Sequence, residues 1–323
     1  MKYLALALAF AFFGFAHPSF AQTDTDVKYP FEVKYFPLAL EKQNVKMAYM
    51  DVSPERPNGE TAILFHGKNF NGFYWKDVIP MLTKRGYRVI VPDQLGWGKS
   101  DRPNLHYSFH QLADNNKKLL DSLNVKKAIV LGHSMGGMLA TRFALMFPET
   151  VSRLILENPI GLEDYRTFVP FEPLEKVEQS ELKATAESYR SYQKTYYPEW
   201  KPEYEQYSEA QAADLKLPRF PQIAFVNALT FQMIYEQPVA YEFQNVRAPT
   251  LLVIGQLDRT VVGKAKVPKE IVANYGNYPK LGREIKAKIK NSALVELAGV
   301  GHIPHIQTPE KFESAIGDFL GKR

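Results

Sequence analysis

The 323-residue chain contains no cysteine. It can form no disulfide, hold no metal through thiolate and use no cysteine nucleophile, so its stability has to come from a packed core. The length permits one, and 45% hydrophobic with 23% charged residues matches globular norms. Other absences exclude more. There is no H-E-x-x-H pair, no phosphate-binding loop and no dinucleotide fingerprint, so neither a metal nor a cofactor is expected. The net charge of +5 is not gathered into any Lys/Arg run. That argues against a nucleic-acid stripe and makes the charge a solubility term. No internal repeat or low-complexity tract is present. The apolar stretch at residues 3–16 has 14 residues, short of the roughly 20 that a membrane-spanning helix needs.

That stretch follows Lys2 and precedes Ser19-Phe20-Ala21. A positive start, a short apolar run and small residues at the cleavage positions predict a signal peptide over residues 1–21. Cleavage after Ala21 implies a periplasmic or secreted protein with no stable membrane insertion. An uncleaved anchor is the alternative.

Short Val/Ile/Leu-rich runs then alternate with helical patterns. The runs at 61–65 (TAILF), 88–92 (RVIVP), 127–131 (KAIVL), 151–156 (VSRLIL), 250–254 (TLLVI) and 293–297 (ALVEL) suit strands buried on both faces of a parallel sheet. Residues 33–51 suggest two antiparallel edge strands. Ser108 and Gln111 have capping-box spacing ahead of a helical face of Leu112, Leu119, Leu120 and Leu123. Residues 135–147 and 309–320 also read as helices. This alternation predicts an α/β fold with a doubly wound, mostly parallel sheet.

One segment breaks the rhythm. Residues 161–245 contain no strand-like run and hold 16 aromatic, 14 acidic and 8 basic residues. Helices are expected at 181–196 and 221–236, with prolines between them. The segment reads as a helical cap inserted into a core formed by 22–160 and 246–323.

The chemistry concentrates at strand ends. Gly132-His133-Ser134-Met135-Gly136 fits G-x-S-x-G between a strand and a helix, where a sharp turn exposes the serine hydroxyl. A serine needs a base within hydrogen-bond reach. Gly299-Val300-Gly301-His302 supplies one after the last strand, with His305 as the competitor. The base needs an orienting carboxylate. Asp258, after the 250–254 strand, gives the chain order Ser134, Asp258, His302; Glu157 is the rival and Asp164 a distant third. Backbone N–H groups of Met135 and Lys68 are the expected oxyanion donors. His66 reads as a histidine that braces the Lys68 loop rather than as a base.

The motifs LFHG (64–67), PDQLGWGKSDRP (92–103), GHSMGG (132–137), GQLD (255–258) and GVGHIPHIQTPEKF (299–312) together resemble the α/β-hydrolase superfamily. They are most similar to its capped esterases, lactonases, epoxide hydrolases and carbon–carbon bond hydrolases. The resemblance covers the mature chain except the cap. It implies a triad of Ser134, Asp258 and His302, an oxyanion hole at Lys68 and Met135, and a structural turn shaped by Asp93, Gly96 and Gly98.

Departures narrow the group. Ser134 stands where haloalkane dehalogenases and epoxide hydrolases carry aspartate, and G-H-S-M-G differs from the G-G-S-W-G of proline iminopeptidases. Cofactor-free haloperoxidases share the triad, so a perhydrolase side activity stays open. The expected function is cleavage of an ester-like bond in a small apolar or aromatic substrate through an acyl-enzyme. The alternatives are a carbon–carbon bond hydrolase or lactonase with the same triad, and a low-turnover receptor of this fold.

Overall fold

In the computed structural model the described residues are 27–321; the signal peptide expected at 1–21 lies outside them. A single eight-stranded sheet forms the centre. Its strands are β1 (Val33–Leu40), β2 (Gln43–Val52), β3 (Thr61–Phe65), β4 (Arg88–Pro92), β5 (Ala128–His133), β6 (Val151–Glu157), β7 (Thr250–Gly255) and β8 (Ser292–Leu297). The spatial order is β1-β2-β4-β3-β5-β6-β7-β8. β1, β2 and β4 pair antiparallel, and every pair from β4 through β3 to β8 is parallel. β1 and β2 meet through Glu41 and Lys42, both at positive φ, as a tight two-residue hairpin turn requires.

The helices are α1 (Val78–Lys84), α2 (Phe109–Ser122), α3 (Met135–Met146), α4 (Leu174–Glu181), α5 (Ala186–Lys194), α6 (Glu205–Ala212), α7 (Phe220–Glu236), α8 (Lys269–Val272), α9 (Tyr278–Lys288), α10 (Pro304–Gln307) and α11 (Pro309–Gly321). Two apolar clusters sandwich the sheet. Ile63, Val130, Leu154 and Leu252 face α2, α3 and α9. Their neighbours Leu64, Leu131, Ile155 and Leu251 face α1 and α11. Successive strand residues therefore bury on opposite faces, which is why each strand reads as an unbroken apolar run. Among the described residues no helix is long and apolar enough to cross a membrane.

Two local expectations need correction. Ser108 caps α2 by accepting from the Gln111 N–H, but the Gln111 amide donates to Asn115 at 2.9 Å instead of closing the box. The helix expected at 181–196 is the shorter α5, and residue 181 instead ends α4, which lies ahead of that range. Thr185 and Ser188 form a capping box that starts α5 anew, so the backbone turns at 182–185. α6 lies in a stretch with no helical pattern strong enough to predict it; its only buried residues are Tyr207 and Ser208.

The order of strands locates the functional edge. β3 lies between β4 and β5, so the chain winds outward from β3 in both directions. In open α/β sheets ligands bind beyond the carboxyl ends of strands at such a switch point. Here the loops after β3 and β5 open there.

Candidate active site

β5 passes into α3 through Ser134, whose backbone has φ 55° and ψ −120°. A serine at positive φ is strained, and strain of this kind persists only where the surroundings enforce it. They do so by close packing. A Cβ on Gly132 would sit 2.1 Å from the Gly136 carbonyl oxygen, and one on Gly136 would sit 2.0 Å from that of Phe65. Glycine at both positions lets β3, β5 and α3 approach closely enough to hold the turn.

The loops after β8 and β7 bring in the other two predicted side chains. His302 Nε2 lies 2.9 Å from Ser134 Oγ, and His302 Nδ1 lies 2.6 Å from Asp258 Oδ2. All three residues are buried. Asp258 Oδ2 also accepts from the Asn158 amide at 2.7 Å, and Oδ1 from the Thr260 N–H at 2.8 Å. Burial pushes the Asp258 carboxyl up; the neighbouring His302 charge and the bonds from His302, Thr260 and Asn158 outweigh it and hold the group below its ordinary range. This arrangement can draw a proton from the serine onto an imidazole fixed in one tautomer.

The competing residues are engaged elsewhere. Glu157 accepts from the His305 N–H at 2.8 Å and faces His305 Nδ1 at 2.9 Å. That pair is buried beneath Trp75, which stacks on the His305 ring. Asp164 pairs with Arg166 and accepts from Tyr241.

The loop after β3 lies directly against Ser134, since a Cβ on Gly67 would sit 3.2 Å from Ser134 Cβ. His66 Nε2 accepts from the Gln94 N–H at 3.0 Å, which leaves Nδ1 to donate to the Gly67 carbonyl at 2.9 Å. The Phe70 N–H also donates to that carbonyl. A trans peptide points its C=O and N–H in opposite directions. Holding the Gly67 carbonyl therefore fixes the direction of the Lys68 N–H. The Lys68 carbonyl in turn accepts from Trp97 Nε1 at 2.6 Å. Met135 is the first residue of α3, where the N–H has no acceptor inside the helix.

A cavity of about 540 Å³ opens above Ser134. Its floor is the 68–71 loop, Trp97 and Ser134, and residues of α4, α5 and α7 wall it from above. Tyr189, Tyr192, Tyr196 and Phe231 supply aromatic surface. The charges among the lining residues were not foreseen. Lys68 Nζ lies 3.9 Å from Glu181 of α4, and Arg102 pairs with Asp214 at 2.7 Å. Lys183 and Lys264 also line the cavity and are exposed. Among the described residues no group of three or more His, Asp or Glu is placed to hold a metal ion.

Two contributors escaped the sequence reading. Asn158 bridges Asp258 and the Gly255 N–H, and its position just past β6 was the available signal. Tyr196 is, in sequence, one of the 16 aromatics of the 161–245 segment. Its carbonyl accepts from the His302 N–H at 2.8 Å, a backbone contact that carries no side-chain signature.

This fold and site define the class. The family model for the alpha/beta hydrolase fold matches residues 62–309, and the chain belongs to that family of hydrolases. It is similar to a crystal structure described as a probable hydrolytic enzyme from Pseudomonas aeruginosa. The two are 43% identical with a TM-score of 0.90, over 91% of this chain and 96% of that one. It is 26% identical over 269 residues to a 2-hydroxy-6-oxononadienedioate/2-hydroxy-6-oxononatrienedioate hydrolase of Paraburkholderia phymatum, covering 81% of this chain and 88% of that protein. The enol-lactonase of Burkholderia xenovorans shares the fold at 19% identity and a TM-score of 0.68, over 88% of this chain and all (100%) of that one. An uncharacterized protein of Mycobacterium tuberculosis is 39% identical over 105 residues, and there the chain spans only 30% of the relative's length.

Proposed function

We propose that this hydrolase is a serine enzyme that cleaves a carboxylic ester-like bond in a small molecule with an apolar or aromatic part. The observation that carries the reading is the hydrogen-bonded chain from Ser134 through His302 to Asp258 at the floor of an aromatic-walled cavity. His302 takes the Ser134 proton as the hydroxyl attacks the carbonyl carbon. The N–H groups of Lys68 and Met135 receive the oxyanion, and His302 passes the proton to the leaving alkoxide. Water activated by the same imidazole then releases the acid and frees Ser134.

The test is a screen of activated acyl esters against the wild type, with Ser134→Ala as the blank. Turnover of an accepted ester should fall roughly 10⁴- to 10⁶-fold while the fold is kept. A folded Ser134→Ala protein with wild-type turnover would sink the serine mechanism.

One comparison favours a second reading. Similarity along most of the chain to a hydrolase named for 2-hydroxy-6-oxononadienedioate supports attack on a ketone, with cleavage of the adjoining carbon–carbon bond. Efficient turnover of simple activated esters separates the first reading from this one.

A further inference from the structure

The residue between the glycine and the serine of the nucleophile turn is His133, and it is fully buried. It lies behind Ser134 and is not among the residues that line the cavity. Its two ring nitrogens nevertheless join the two loops on which the chemistry depends. Nε2 lies 2.9 Å from the His302 carbonyl oxygen. A carbonyl only accepts, so Nε2 carries the proton. Burial, with His302 and His305 nearby, holds the imidazole neutral by pushing its pKa well below the ordinary histidine range. Nδ1 is then bare and accepts from the Tyr74 hydroxyl at 3.2 Å. The Tyr74 oxygen itself accepts from the Gly67 N–H at 2.9 Å.

Every donor in this series points the same way: Gly67 N–H to Tyr74, Tyr74 O–H to His133, His133 N–H to the His302 carbonyl. Hydrogen bonds aligned head to tail polarise and strengthen one another. The series also closes on itself. Asn69, two residues after Gly67, donates to the Tyr196 hydroxyl at 2.8 Å. The Tyr196 carbonyl accepts from the His302 N–H. Ser134 touches both loops: a Cβ on Gly67 would sit 3.2 Å from its Cβ, and His302 Nε2 lies 2.9 Å from its Oγ.

We propose that Tyr74 and His133 are positioning residues that keep the Lys68 loop and the His302 loop in register with each other around Ser134. This rests on the serine-hydrolase reading above. Neither residue reacts with or binds substrate, so their effect falls on the reaction's turning point and not on substrate affinity. Both loops lie at strand ends with no ladder of their own, and a shift of about 1 Å between reacting groups can cost on the order of 100-fold in rate.

The experiment uses an activated ester that the wild type turns over and three variants: Tyr74→Phe, His133→Leu and the double. Tyr74→Phe keeps the ring stacked on Phe70 and removes only the hydroxyl. Active sites are counted with a fluorophosphonate, so that kcat refers to folded, competent enzyme. Each single variant should lower kcat per titrated site by roughly 10- to 100-fold, leave KM within about twofold and weaken inhibition by phenylboronic acid by a similar factor as kcat. Because the two residues act in one series, the double variant should be no worse than the poorer single.

Wild-type kcat per titrated site in Tyr74→Phe overturns the proposal, as do losses that multiply in the double variant or a change confined to KM. If His133→Leu does not fold, Tyr74→Phe decides alone. A wild-type enzyme that neither reacts with the fluorophosphonate nor loses ester turnover on Ser134→Ala overturns the underlying reading, and the proposal with it. That result is distinct from a competent serine unaffected by Tyr74.

Discussion

At the scale of single residues the open question is which carboxylate serves the imidazole. Asp258 and Glu157 both stand at carboxyl ends of neighbouring strands, and residue type alone does not separate them. Position does: Asp258 meets His302 Nδ1, whereas Glu157 is occupied by His305. Asp258→Asn keeps the shape yet favours the wrong tautomer, so turnover should fall on the order of 10⁴-fold. Glu157→Gln should cost less than about tenfold in turnover while lowering stability by roughly 1.5–3 kcal/mol, as a charged acceptor is lost. Assaying both variants on one ester, with a urea titration of each, checks this; a crippled Glu157→Gln beside an active Asp258→Asn would move the acid to β6. That Ser134, His302 and Asp258 would meet was legible because glycines and strand ends mark their positions in the sequence. Asn158, Tyr74 and the Tyr196 carbonyl were not. Their partners lie 100, 59 and 106 positions away along the chain for the contacts to Asp258, His133 and His302, and no local pattern encodes such meetings.

At the scale of elements the strands were legible and the short helices of the 161–245 segment less so. A strand buried on both faces has an unmistakable composition, and the runs at 61–65 and 88–92 match β3 and β4 end to end. In the 161–245 segment α7 (Phe220–Glu236) matches the helix expected at 221–236, whereas α4, α5 and α6 have only 8, 9 and 8 residues. Their boundaries therefore depend on caps more than on periodicity, and the Thr185–Ser188 box was overlooked within a stretch that looked continuously helical. The Thr185 hydroxyl accepts from the Ser188 N–H at 3.1 Å, and the Ser188 hydroxyl accepts in return from the Thr185 N–H at 2.9 Å. Thr185→Ala should cost about 1 kcal/mol. Hydrogen exchange would show the loss as faster exchange confined to the first turn of α5, with β5 and β7 unchanged. Uniformly faster exchange through the sheet would contradict a purely local role for the box.

At the scale of the whole molecule, buried neutral histidines tie stability to pH. Burial is the main cause that lowers the pKa of both His66 and His133. Unfolded, both would titrate near the ordinary value of about 6.5. Below that pH the unfolded chain binds protons that the folded chain refuses, so stability is full above about 6.5 and is lost as pH falls. Each histidine contributes up to about 1.4 kcal/mol per pH unit in that window. Urea midpoints measured from pH 8 to pH 5 should be flat at first and then decline; a midpoint rising on acidification would show that one of the two is protonated in the native state. The contact between Tyr196 and His302 bears on how such a molecule can change over generations. What His302 receives from the segment above it is a main-chain oxygen, which any amino acid would furnish. That contact constrains the path of the chain, while the Tyr196 hydroxyl that accepts from Asn69 at 2.8 Å constrains the residue as well. A segment substituted for 161–245 would have to thread its backbone past the same point or leave the imidazole loop untethered. The 161–245 segment is thus tied to the imidazole loop by its backbone course as much as by its side chains.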